Sequence, residues 1–232
     1  MTDSTTPKNK LEGKVAIVTG GASGMGEATP FRLSRDEEQV KTVVDSAVKT
    51  YGRLDIMFSN AGMARATRTC EQTVFDIDLS AYDKIMAVNA RGMVACVKHA
   101  VNAMVEGHVR GSIICTASVV ATRGTKNTID YTMSKHAVLG LVRSASLQVG
   151  SYGIRVNCVS PGSVGTQLMK DMLKTEDDEE ADKAVESTSN LKGGVLMPKN
   201  VGDAVVFLAS EDSRFVTGHN LEVHAGFKFR DD

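Results

Sequence analysis

Residues Lys14-Val-Ala-Ile-Val18 form an apolar run that passes directly into Thr19-Gly-Gly-Ala-Ser-Gly-Met-Gly26. A buried strand that enters a glycine turn and then a helix aims backbone N–H groups and the positive end of the helix dipole at one point, which suits a phosphate. Gly20, Gly24 and Gly26 follow a T-G-x-x-x-G-x-G spacing, and with Ser23 and Met25 they let the main chain approach a pyrophosphate closely. Taken alone, the turn is also compatible with a tight strand–helix connection that binds nothing.

The chain beyond the turn narrows the fold class. Strand-like runs at Leu54–Phe58, Gly111–Cys115, Ile154–Val159 and Asn220–Val223 alternate with helix-period stretches at Glu37–Tyr51, Tyr82–Val105, Tyr131–Gly150 and Val201–Ser210. That alternation predicts an α/β chain, a Rossmann-type doubly wound parallel sheet covered on both faces. The 232 residues fit a single domain over 11–232, preceded by a polar, disordered arm at 1–10. Residues 163–198, with the acidic run Glu176–Asp182, read as a solvated surface or a mobile flap over a site.

Charge and apolar length exclude several functions. With 27 basic and 28 acidic side chains and no basic block, nucleic acid is not an expected partner. No apolar run approaches the roughly 18 residues of a membrane span, and the polar start lacks a secretory h-region. Cys70, Cys96, Cys115 and Cys158 are widely spaced, which predicts reduced thiols in a cytoplasmic protein and no zinc site.

Tyr131 and Lys135 stand at i and i+4, so a helix places both on one face. A phenol is a weak base at neutral pH, and a nearby ammonium would favour its ionised form. Ser118 ends the third strand-like run, and the carboxyl ends of parallel strands are where ligands collect. A lone Y-x-x-x-K pair is often only a surface pair. Its order after the glycine turn, Asn60-Ala61-Gly62 and Ser118 points to chemistry instead.

On these motifs the chain resembles the short-chain dehydrogenase/reductase family over most of Leu11–Phe227. Thr19–Gly26 resembles its cofactor loop, and Ser59-Asn-Ala-Gly62 its N-N-A-G turn. Asn89, Ser118, Tyr131 and Lys135 match its catalytic tetrad. Pro161 and Gly162 open the segment whose Val164 and Thr166 would meet the nicotinamide carboxamide. The stretch Tyr131–Gln148 is similar to plant alcohol dehydrogenases of terpenoid metabolism, acting on isopiperitenol, borneol or nepetalactol, with relatives acting on lignan and steroid alcohols.

The resemblance implies that Ser118 hydrogen-bonds the substrate oxygen and Tyr131 takes the hydroxyl proton. It implies that Lys135 holds the ribose and lowers the tyrosine pKa, while Asn89 anchors a water. It further implies a homotetramer joined through the Tyr82–Val105 and Tyr131–Gly150 helices and the last strand.

Two departures stand out. Only 34 positions separate Gly26 from Asn60, about half the interval usual in the family, and the strand whose terminal acid would bind the adenine ribose has no counterpart. Either the chain lacks those elements, or a stretch between joined flanks is left out; the second is favoured because one peptide bond spans only about 3.8 Å. Pro30 inside a nascent helix adds to the irregularity. His224-Ala225 replaces the family's Asp-Gly, and His224 reads as a structural position.

Cofactor preference falls on NAD over NADP, because no Arg or Lys between Gly21 and Gly26 would meet a 2′-phosphate. Met63, Ala64, Val119, Val120, Leu168, Met169 and Met172 are expected to make an apolar substrate pocket, although such methionines also serve as ordinary core filling. The expected substrate is a small hydrophobic alcohol or its ketone, with oxidation of borneol to camphor foremost and nepetalactol next. The alternatives are a non-redox terpenoid cyclase on the same scaffold and a cofactor-impaired inactive homologue.

Overall fold

A computed structural model describes residues 10–20, 36–64, 72–166, 170, 175 and 177–228. The first strand, β1, is Ala16–Val18. The helix α1, Glu37–Tyr51, starts on Asp36, whose carboxylate accepts from Glu38 N–H, and stops at Gly52, whose φ of 77° only glycine adopts cheaply. Next come β2 (Ile56–Ser59), α2 (Leu79–Met86), α3 (Gly92–Glu106), β3 (Ser112–Thr116), α4 (Ile129–Val149) and β4 (Arg155–Pro161). The chain closes with α5 (Asp178–Ser187), α6 (Pro198–Ala209) and β5 (Asn220–Val223).

The five strands are parallel in the order β1-β2-β3-β4-β5. Successive strand residues face opposite sides, and this splits the core in two. Ile17, Met57, Ile113, Cys115, Val156 and Cys158 pack with α1, α3 and α4 on one face. Ile56, Phe58, Ile114 and Val159 pack with Val185 of α5 and Val201 and Leu208 of α6 on the other. Helices α1, α3 and α4 each carry the chain one strand onward across the same face, while α6 makes the same step across the opposite one. The β4-to-β5 connection, crossing the opposite face in the same direction, is therefore of the opposite hand to the others.

The parallel sheet with helices on both faces agrees with the expected architecture. Among the described residues, α1 is the one element between β1 and its sheet neighbour β2, and no further strand lies between them. The single helix expected over Tyr82–Val105 is three pieces, since a π turn at Ala87–Arg91 interrupts it. The acidic run is largely a helix N-terminus: Asp177 caps α5 by accepting from Glu179 N–H, and Asp178, Glu179 and Glu180 lie in its first turn, where the dipole favours negative charge. The expected arm, apart from Lys10, lies outside the described residues.

Candidate active site

The carboxyl ends of β1, β2 and β3 are tied together by side chains. Thr19 Oγ1 accepts from the N–H groups of Asn60 at 2.9 Å and Ala61 at 2.8 Å. Asn60 Nδ2 returns a bond to the Thr19 carbonyl at 3.3 Å, and Thr116 Oγ1 donates to Asn60 Oδ1 at 3.0 Å. Gly20 has φ 71°, and a Cβ there would lie 2.9 Å from Ala61 Cα, so glycine alone permits this approach. Thr116 was not expected as a site residue, and Thr19 was expected only as the head of the cofactor loop. The threonine heading the glycine turn was the available signal, overshadowed by the glycines after it.

Helix α4 brings Tyr131 and Lys135 to the same end of the sheet. The Ser118 hydroxyl stands beside the Tyr131 phenol, close enough to favour its ionised form, and the Lys135 Nζ lies 5.5 Å from the Tyr131 ring centroid. Lys135 is 3% exposed and donates from Nζ to the Thr116 carbonyl at 2.9 Å. Asn89, in the π turn, accepts from Met63 N–H at 2.8 Å and donates to the Met63 carbonyl at 2.9 Å and Ser134 Oγ at 3.1 Å. Ser134 Oγ donates in turn to the Tyr131 carbonyl at 2.7 Å. A π turn places one extra residue in the helix, which turns Asn89 inward to clamp the chain after Gly62 onto α4.

The electrostatics correct one expectation. Burial pushes the Tyr131 phenol up, and the Ser118 hydroxyl offsets only part of this. Burial also brings the Lys135 amine down to about 8, against neighbouring Cys115 and Cys158. The lysine therefore yields its proton more readily and the tyrosine less readily than the spacing alone suggested. Cys96, Cys115 and Cys158 are free and buried, and burial pushes all three thiols up, Cys158 to about 12.

Past β4, Gly162 N–H donates to the Val223 carbonyl at 3.0 Å, and a Cβ on Gly162 would meet His224 Cβ at 2.8 Å. His224 accepts from Phe227 N–H at 2.9 Å and pairs with Glu222, a structural post at the end of β5. Pro161 ends β4, and the Thr166 hydroxyl donates to the Val164 carbonyl at 3.3 Å. Val164 packs its side chain into the core, so its main chain, rather than its side chain, is left to meet a carboxamide. Met63, Ala64 and Val120 are half-buried near the tetrad, whereas Val119 is buried. Ser23, Gly24, Met25, Gly26 and Pro30, with Leu168, Met169 and Met172, lie outside the described residues.

These residues fit the ribose and nicotinamide end of a dinucleotide. A Cβ on Gly62 would stand 3.5 Å from Asn89 Oδ1 and 3.6 Å from Lys135 Nζ, so a bare main chain flanks the amine. Gly20 likewise keeps the turn against Ala61.

The family model described as enoyl-(acyl carrier protein) reductase matches residues 34–228. A (+)-cis,trans-nepetalactol synthase of Nepeta racemosa is 44% identical over 94% of this chain and 92% of its own length. The mitochondrial (−)-isopiperitenol/(−)-carveol dehydrogenase of Mentha piperita is 44% identical over 94% and 95%. Secoisolariciresinol dehydrogenase of Forsythia intermedia is 36% identical over 94% and 90%. The first match extends over 255 positions but takes in only 94% of 232 residues, so roughly 37 of its positions have no residue here. Among solved structures, carveol dehydrogenase from Mycobacterium avium in complex with NAD superposes with a TM-score of 0.80 at 27% identity, covering 94% of this chain and 98% of that one. ElxO with NADP bound gives a TM-score of 0.80 at 25% identity, covering 91% and 97%. Fold, site and relatives agree, and the chain belongs to the short-chain dehydrogenase/reductase family of oxidoreductases.

Proposed function

We propose that the enzyme oxidises the secondary alcohol of a compact cyclic monoterpenol, with borneol to camphor as the leading case and NAD as the oxidant. The observation that carries this reading is the convergence of the Ser118 hydroxyl, the Tyr131 phenol and the buried amine of Lys135, whose Nζ lies 5.5 Å from the Tyr131 ring centroid. A relative named for (−)-isopiperitenol and (−)-carveol supports the substrate class. The half-buried Met63 and Val120 would offer a terpenoid apolar surface next to the tetrad.

Each residue then has one task. Ser118 donates to the substrate oxygen and fixes its distance from Tyr131. Tyr131 takes the hydroxyl proton as its own phenolic proton passes on to the neutral amine of Lys135, and a bound nicotinamide would supply the acceptor for the hydride. Lys135, held by the Thr116 carbonyl, would hold the ribose once the dinucleotide is bound. Asn89 keeps the chain at Met63 in register with α4. Exposed Val94 on α3 and Met133 and Leu147 on α4 support a homotetramer assembled through these helices.

A second reading, a non-redox terpenoid cyclase, is favoured by the nepetalactol synthases among the relatives at 44–45% identity. Incubation with NAD and a monoterpenol panel separates the two. Ketone appearing in step with NADH absorbance is the expected result. Cyclised product with no nicotinamide change would establish the cyclase, and neither product nor dinucleotide binding by calorimetry would mark an inactive homologue.

A further inference from the structure

The amino ends of the strands, opposite the tetrad, carry a second concavity. A cleft of about 370 Å³ opens there, lined by Lys14, Arg110, Arg155, Arg214, Glu211 and Phe215, with Gly111, Gly153 and the first residues of β2 and β3 as its floor. Its charge is unevenly compensated. Asp55 is already committed: Arg53 grips it with two bonds at 2.9 and 2.6 Å, Lys14 lies 3.6 Å away, and Val15 N–H donates to it at 3.0 Å. Arg155 closes the end of α6, donating to the carbonyls of Leu208 at 2.8 Å and Ser210 at 3.2 Å and to Ser213 Oγ at 2.9 Å. Among the described residues no carboxylate lies within ion-pair distance of it, although Glu211 acts on it from further away.

Arg110 and Arg214 differ from these. Neither guanidinium makes a hydrogen bond or ion pair with any described residue, the one bond of Arg214 being from its main-chain N–H to the Glu211 carbonyl at 3.1 Å. Arg214 instead stacks on Phe215 at 4.6 Å, and that ring is 86% exposed. The missing side chain of Gly153 leaves room for Arg110, since a Cβ there would stand 2.6 Å from Arg110 Nε. Two planar guanidinium forks without a carboxylate partner among the described residues thus line a positively charged cleft, beside an exposed aromatic face. Guanidinium matches phosphate oxygens bidentately, and an aromatic ring beside it offers an apolar or planar group a surface.

We propose that this cleft is a second ligand site, taking a small organic phosphate whose phosphate lies between Arg110 and Arg214 and whose apolar or planar part rests on Phe215. It is independent of the alcohol chemistry at the other end of the sheet. Titration of the whole enzyme with phenyl phosphate and with inorganic phosphate, followed by calorimetry and ³¹P NMR, tests it. Phenyl phosphate should bind at least tenfold more tightly than inorganic phosphate, and saturating NADH should not displace it. Arg110→Gln with Arg214→Gln should lose at least tenfold in affinity while leaving the melting temperature and alcohol turnover unchanged. Phe215→Ala should weaken phenyl phosphate and leave inorganic phosphate unaffected. Equal binding by wild type and the double variant, displacement by NADH, or no binding at millimolar ligand would each overturn the assignment.

Discussion

The Nζ of Lys135 donates to the main-chain carbonyl of Thr116 at 2.9 Å, at the end of the strand that leads to Ser118. The amine is therefore tied to the sheet rather than to a carboxylate, and burial brings it down to about 8 while pushing the Tyr131 phenol up. The Lys135 amine gives up its proton near pH 8, and the Tyr131 phenol gives up its own only above the ordinary phenol range. A pair short of one proton can accept the proton that an alcohol releases. Alcohol oxidation is expected to rise with pH through about 8, and ketone reduction to fall across the same range. The kcat/KM profile in both directions checks this. Profiles flat from pH 6 to 9 in both directions would contradict it.

Removing either hydroxyl at the site should act on chemistry rather than on folding. Tyr131→Phe and Ser118→Ala are each expected to lower kcat by about 10²–10⁴-fold, the usual range for losing a positioned proton donor or acceptor. Dinucleotide affinity measured by calorimetry should stay within a few-fold, because neither hydroxyl supports the strand ends. A Tyr131→Phe enzyme with wild-type turnover would remove the phenol from the mechanism.

Much of this was legible in the residues, for identifiable reasons. The five strands announce themselves as apolar runs, four of which soon meet Gly, Pro or Asn while the third leads into Thr116-Ala-Ser118, and Tyr131 and Lys135 announce themselves by helical spacing. The π turn at Asn89 was not legible, because the apolar positions of α2 and α3 continue smoothly through it. The main-chain bond from Gly92 N–H to the Ala87 carbonyl, five residues back, reveals the extra residue. Helix α5 was read as a solvated run because its first turn is acidic and only Ala181 and Val185 are buried. The directions of the Tyr131 and Lys135 shifts depend on depth of burial, which spacing in a sequence does not carry.

Thr19 makes a sharper structural prediction. Its single oxygen accepts from two consecutive N–H groups, those of Asn60 and Ala61, and the residue is fully buried. Thr19→Val keeps the shape and leaves both donors unsatisfied, at a cost of about 1–3 kcal/mol for each buried group. The chain after β2 should shift away from β1, so the KM for the dinucleotide should rise by at least tenfold with a smaller change in kcat. Urea unfolding together with steady-state kinetics measures both effects. A variant as stable as wild type with an unchanged KM would show that the tie has no consequence.

Lys135 predicts a conflict between stability and activity whose sign depends on pH. Its amine titrates near 8 in the folded chain and at the ordinary 10.5 when exposed. The buried cation therefore destabilises the fold fully below pH 8, and the penalty fades as pH rises towards 10.5. At about 1.4 kcal/mol per pH unit, the gap amounts to about 3 kcal/mol. Loss of the bond to the Thr116 carbonyl offsets about 1 kcal/mol of any gain from removing the charge. Lys135→Met is thus expected to be more stable than wild type by about 2 kcal/mol at pH 7, while turnover collapses. Near pH 10.5 the advantage should vanish, because the wild-type amine is by then neutral in the fold. Denaturant unfolding of both proteins from pH 7 to 10.5 decides the matter. A variant less stable at pH 7, with a pH dependence parallel to wild type, would mean that the amine is not buried as a strained cation.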